Sequence, residues 1–429
     1  MKKVYLATVA IIALAVAVAA IYANSNRQEE VVFIGGPEKT TSESVKKDES
    51  DTALQETASK KAEEESDITA SDIFEPSSNV MKNSFAVGTN NMFYIKDDNT
   101  LWAYGRGELG DGKFTGFRGP VKILDNVYYV SSIHRINTGY SMAIKNDCTL
   151  WIWGENEIGI FNDGKFNKYG EVKIDSETKS RSVTQIENHD CSHPAKVMDD
   201  VIQAEASYSY VYALKSDGTL VFFGGGNGRA GDYYHEPVAE TIAAENVKKF
   251  ATVQDGGHLY VIKNDNSVWQ ISFMEGEEDK LIANDVKDLF VSYDAVYMLK
   301  DEGTFWGMGS PKGDGFLVDT FQDGNKEPIY LSNDITDISI YSHERYYISK
   351  NNELFFWGTE SGNGAETAKN IDRSIKLLDD VASVGTGAWI SAAVTKSGEL
   401  YTWGYDFTEG KSLKDSTPVK LADGIRVNQ

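Results

Sequence analysis

The sequence predicts an all-β chain folded as a seven-bladed β-propeller of four-stranded antiparallel blades. Three observations carry that prediction. A ten-residue stretch recurs seven times without a gap, a second short signal stands at a near-constant distance before each copy, and no convincing amphipathic helix interrupts the run from Val80 to the C-terminus.

The recurring stretch is clearest at 215–224 (KSDGTLVFFG), and its other copies are 96–105 (KDDNTLWAYG), 145–154 (KNDCTLWIWG), 263–272 (KNDNSVWQIS), 300–309 (KDEGTFWGMG), 349–358 (SKNNELFFWG) and 395–404 (TKSGELYTWG). Apolar and polar residues alternate on both sides of a short polar corner, the pattern of two strands joined by a tight turn. Asn99, Cys148, Gly218, Asn266, Gly303, Asn352 and Gly398 hold the second corner position. Most of these tolerate a left-handed backbone, so a type I′ turn is expected. Just before each copy stands Ile95, Ile144, Leu214, Ile262, Leu299, Ile348 or Val394, one strand face turned to a shared core.

Upstream, an acidic or amide residue precedes a β-branched one: Asn79-Val80, Asn126-Val127, Asp200-Val201, Asn246-Val247, Asp285-Val286, Asp334-Ile335 and Asp380-Val381. The distance to the copy that follows is 14 residues in four units, 16 in two and 18 in one, and even insertions keep each side chain on its face. A further strand such as Val121-Lys-Ile-Leu or Ile375-Lys-Leu-Leu completes each unit. Lined up in a row, such sheets would leave an apolar face bare at each end; a closed ring has no ends. After its outer strand the last unit runs into Ile425-Arg-Val, the start of a unit over again, whose expected use is to close the ring on the first blade.

Ahead of the repeats, Lys2 and Lys3 precede a nearly unbroken apolar run, Val4 to Ala23. It is longer than the usual secretory core of about 7 to 15 residues, so 1–23 is read as a signal peptide or a signal anchor, both outcomes open. Residues 24–79 are rich in Asp, Glu, Lys, Ser and Thr with few large apolar side chains, and are expected to form a disordered linker. The propeller takes 80–429. The formal net charge of −23 argues against a nucleic-acid partner.

The stretch 101–112 (LWAYGRGELGDG), with TLWIWGENEIG and ELYTWGYD, resembles the regulator of chromosome condensation repeat: turn, aliphatic, aromatic, any residue, aromatic, Gly, then a Gly-rich tail. The chain departs from that pattern where Ser272 replaces Gly and where the Gly-rich tail is missing after several copies. The resemblance covers Val80 to the C-terminus and implies a seven-bladed propeller that binds proteins. Nuclear relatives act on a small GTPase, a partner an exported chain would not meet. Secreted bacterial propellers of similar repeats inhibit β-lactamases through aromatic loop residues, and on that precedent this chain is read as a bacterial exported member.

Sites of chemistry are sparse in the sequence. Gly226, Gly228 and Gly231 spell a dinucleotide fingerprint, but Asp-Tyr-Tyr-His-Glu-Pro follows where a helix would have to begin. His134, His189, His193, His235, His258 and His343 show no ligand spacing, so neither metal nor cofactor is expected, and no nucleophile elbow or phosphate loop is present. Cys148 and Cys191, the only two cysteines, are a candidate disulfide in an exported chain; against it, Cys148 sits on the turn at one face and Cys191 at the entry to the outer strand. The candidate binding residues are those of the loops between the first and second strands, which vary between copies while the framework repeats: Asn91, Tyr140, Tyr208, Tyr210, His258, Tyr293, Asp294, Glu344, Arg345 and Trp389. Large rings with polar ends suit a binding face. The expectation is a monomeric, exported, envelope-associated and non-enzymatic protein-binding scaffold, touching membrane only through its N-terminal segment, with a cell-wall or carbohydrate-binding module as the alternative.

Overall fold

The computed structural model describes residues 83–427 except 89–90, 133–138, 171–172, 175–180, 183, 208, 228–234, 253–258, 274–276, 293–294, 310–324, 342–343, 358–373, 388–389, 407–410 and 413–416. The apolar N-terminal run and the linker lie outside the described residues, and no helix among those described is long and apolar enough to cross a membrane. The chain divides into two units, Met1–Asp72 with Gly170–Thr184, and Ile73–Tyr169 with Gln185–Gln429. All seven blades belong to the second. Of the first, the described part is a short ladder, Lys173–Ile174 against Arg181–Ser182.

Each blade is an antiparallel four-stranded sheet with neighbours in chain order, as in Val201–Ala206, Tyr210–Lys215, Leu220–Gly224 and Val238–Ala244. The first strands are innermost. Phe85–Val87, Val127–Ser132, Val201–Ala206, Val247–Thr252, Val286–Val291, Ile335–Tyr341 and Val381–Thr386 each approach the first strands of both neighbouring blades, and the last approaches the first. That contact closes the ring. The described apolar residues accordingly gather into seven clusters, one per junction: Phe93, Val130 and Trp153 between blades 1 and 2, Tyr212, Phe250 and Val261 between 3 and 4, Phe85, Tyr94 and Ile390 between 7 and 1.

The corner turns are built differently from the expected type I′. Asn99 donates its backbone N–H to the Lys96 carbonyl at 2.9 Å, and Lys96 donates to Thr100 at 2.9 Å. The same two bonds recur in all seven copies, and Asn99, Cys148, Gly218, Asn266, Gly303, Asn352 and Gly398 alone in the corners have positive φ. This is a type I turn followed by one left-handed residue that forms a bulge. The preceding positions hold Glu302 and Ser397 among others, side chains that suit an ordinary right-handed backbone.

The upstream acidic or amide signal has the same cause. Asn126, Asp200, Asn246, Asp285 and Asp380 have φ between 58° and 63°, the left-handed region these side chains tolerate best after Gly. Each carbonyl then accepts a hydrogen bond from the next hairpin, such as Ser216 N–H to Asp200 O at 3.1 Å.

In blade 1 that place belongs to the C-terminus. Gly424 has φ 67°, its carbonyl accepts from Asp97 N–H at 2.9 Å, and Ile425 pairs with Lys96 as Val201 pairs with Lys215. The sequence had assigned the position to Val80, which lies outside the described residues; the pairing partner is Ile425. Arg426 fixes the seam, donating from its N–H to Ile95 O at 3.0 Å and from its guanidinium to Asn99 Oδ1 at 2.9 Å, Val127 O at 3.1 Å and Tyr128 O. Burial pushes its guanidinium down to about 10.

Cys148 and Cys191 are free thiols. Cys191 pairs with Gly154 at one end of the third strand of blade 2, while Cys148 precedes Leu150 at the other. Four residues of strand, roughly 13 Å, keep them apart, so the candidate disulfide does not form.

Candidate functional site

The disc has two unlike faces. One carries the tight turns and the connections between blades; the other carries the loops joining first to second and third to outer strands. The candidate binding residues that the structure describes lie towards the second face.

Five of the candidates, Tyr208, His258, Tyr293, Asp294 and Trp389, lie outside the described residues, and Glu344 is placed only as the start of the strand Glu344–Ser349. Tyr140 is 4% exposed, and its hydroxyl donates to Ser207 O of blade 3 at 3.3 Å, so this ring packs between blades. Arg345 is likewise buried, one residue into its strand. Asn91 is half-buried: its amide donates to Arg106 O at 3.3 Å, and its Oδ1 has no partner among the described residues. Oδ1 lies so close to Gly88 that a Cβ there would come within 2.1 Å, which explains the glycine.

Tyr210 is the candidate that the structure places in a surface. Its half-exposed ring lies over Gly225, where a Cβ would meet Cε1 at 2.4 Å, and packs edge-on against Phe222 with centroids 5.2 Å apart. Phe222 in turn packs against Phe273 of blade 4 at 5.4 Å. Phe273 is 44% exposed. Beneath them Tyr212 touches Phe222, Phe250 and Phe273, and burial pushes its phenol up to about 12. The result is an aromatic patch across the junction of blades 3 and 4, rigid below and open above. Sequence reading missed Phe222 and Phe273. Phe222 is read as framework, and Phe273 follows the degenerate fourth copy, where no periodic signal remains.

The neighbouring loops are built to hold their shape. In blade 1, Arg118 binds the Asp111 carboxylate at 3.0 Å and donates to the carbonyls of Gly107, Thr115 and Gly116, while Leu109 drops into the junction core beside Trp153. In the blade 2 insertion, Asp190 accepts from Asn156 N–H at 2.8 Å, Asn167 at 2.7 Å and Asn188 at 2.9 Å. The Gly-rich run after Leu220–Gly224 continues to Asn227, which bridges to His235 in an antiparallel pair. No group of His, Cys, Asp and Glu with metal-binding geometry occurs among the described residues.

No protein-family model matches the chain. It is 30% identical over 100 residues to the Arabidopsis thaliana mitochondrial RCC1 domain-containing protein RUG3, a match covering 19% of this chain. The chain spans about a fifth of that relative's length, 22%. Among solved structures it is similar to Prp20p of Saccharomyces cerevisiae, described with its binding to Gsp1p and histones, at TM-score 0.54 and 17% identity over 80% of this chain and 88% of that one. It is also similar to the yeast RCC1 (Prp20) bound to Kap60, at TM-score 0.52 and 15% identity over 73% and 80%.

Proposed function

Because its seven repeats and its fold are those of the regulator of chromosome condensation propellers, we propose that this chain is a non-enzymatic protein-binding scaffold working at the cell envelope after export. The observation that carries the binding half is the patch of Tyr210, Phe222 and Phe273. It offers large rings with low conformational freedom at a blade junction, held by Tyr212 and Phe250 so that little order has to be gained on binding. Similar propellers are described in complex with proteins, Kap60 in one case. The export half rests on Val4 to Ala23 behind two lysines.

The test pairs Tyr210→Ala with Phe273→Ala in the full chain. Capture of envelope proteins by cross-linking is expected to fall at least tenfold while circular dichroism and melting temperature stay near those of the parent. Unchanged capture removes this face from the reading. Sedimentation with purified cell-wall glycan, lost in the same variant, would support the carbohydrate-binding alternative instead. Protease treatment of intact cells addresses location separately, since an exported propeller is cut at its loops and a cytoplasmic one is spared.

A further inference from the structure

Charged groups are concentrated on the innermost strands of four consecutive blades. Glu205 lies on Val201–Ala206, Lys249 on Val247–Thr252, Asp288 on Val286–Val291 and Asp337 on Ile335–Tyr341. Lys249, Asp288 and Asp337 hold the same register position, two residues after the first residue of their blade, each opposite the residue just before the hairpin copy: Ile262, Leu299 and Ile348. They therefore point the same way from their strands, as Gln203 does in blade 3. Lys249 Nζ forms an ion pair with Asp288 across the junction of blades 4 and 5. Gln203 ties blade 3 to blade 4, donating to Phe250 O at 2.7 Å and accepting from Phe250 N–H at 3.1 Å, and also donates to Glu205 at 2.9 Å.

The charge does not balance. Three carboxyl groups face one ammonium. Those acting on Asp337 are Asp288 and Lys249; those acting on Glu205 are Lys249 and Asp288, with the Tyr129 phenol of blade 2 close by and the Thr252 N–H as a donor. Lys249 is engaged by Asp288, so the other two carboxyls have no cation of their own among the described residues.

We propose that the inner ring is a proton-responsive seam, in which Glu205 and Asp337 hold protons in the folded propeller and release them when the ring opens, so that acidification tightens the ring and alkali loosens it. The electrostatics agree with the geometry. Both half-buried carboxyls stand at about 7: desolvation raises them most and Asp288 adds to it, while Lys249 and, at Glu205, the Gln203 hydrogen bond offset only part. The folded values exceed the unfolded ones, so the folded state binds more protons. The contribution to stability is full below about pH 4 and is lost as the pH rises through 7.

The test is calorimetric. Unfolding of the parent at pH 6, followed in buffers of different ionisation enthalpy, should release about two more protons than unfolding of a Glu205→Gln, Asp337→Asn variant. Both changes preserve shape, and the variant's melting temperature should be flat from pH 5 to 8 where the parent's falls. Equal proton release, or parallel melting profiles, overturns the proposal. Should the double variant not fold, Lys249→Met in the parent provides a second reading: removing the cation should extend the fall in melting temperature to higher pH, and an unmoved profile counts against the seam equally.

Discussion

The repeated hairpin is held by a relay that works side chain by side chain. In blade 2 the Trp151 indole N–H donates to Thr149 Oγ1 at 2.8 Å, Thr149 donates to Asp147 Oδ1 at 2.6 Å, and the Lys145 ammonium sits 4.9 Å above the indole ring. Blades 1, 4 and 5 repeat it with Trp102, Trp269 and Trp306. Thr149→Val keeps the volume and breaks both bonds, so it should cost about 1 kcal/mol in urea unfolding, with a red shift in tryptophan emission. Cys148 occupies a left-handed position at φ 62° that Gly fills in three other copies. Cys148→Gly should therefore stabilise by roughly 0.5–1 kcal/mol, read by the same unfolding curves. At this scale the sequence was half legible. It marked the corner residues but not which of two adjacent ones turns left-handed; Glu302 and Ser397 one place earlier carried that information. The candidate rings were harder, because a tyrosine at a strand start reads alike whether it packs between blades, as Tyr140 does, or lies open, as Tyr210 does.

Among the elements, the C-terminal stretch does most with least. Five residues beyond the last outer strand, Val419–Ala422, complete the innermost strand of blade 1 and bury Ile425 fully in the junction core. Arg426→Ala removes three guanidinium bonds, two of them to backbone carbonyls, and should cost about 2–3 kcal/mol. Deleting 425–429 should lower the melting temperature by several degrees more than that single change, and equal melts for parent and deletion would show that the seam bears no load. That use was legible because Ile425-Arg-Val repeats the start of a unit. Closure on the first blade was thus expected; which residue takes the start-of-unit position there was not legible, since Val80 and Ile425 satisfied the same local pattern and only pairing could choose between them.

For the molecule as a whole, two sets of carboxyls act in opposite directions. Hydrogen bonds from Thr100, Thr219 and Ser267 hold Asp98, Asp217 and Asp265 below the usual range, so their contribution is present above about pH 4 and lost as the pH falls through their lowered values. The inner-ring carboxyls lose theirs as the pH rises through 7. Melting temperature against pH should peak between about 4 and 6; a maximum above 8 would contradict the inner-ring assignment, and undiminished stability at about pH 2 would contradict that of the hairpin aspartates. The ring was legible because each blade must reuse one register to meet its neighbours. The charges on its innermost strands were not, since they come from strands dozens of residues apart in a chain with 65 acidic residues.

The seam in blade 1 joins the earliest described residues of the propeller to the latest. During synthesis six blades can assemble in order as they emerge, yet the first waits with an incomplete inner strand until Ile425 has left the ribosome. The ring therefore locks only once Ile425 and Arg426 have been made, and a nascent chain stalled short of those residues remains an open arc.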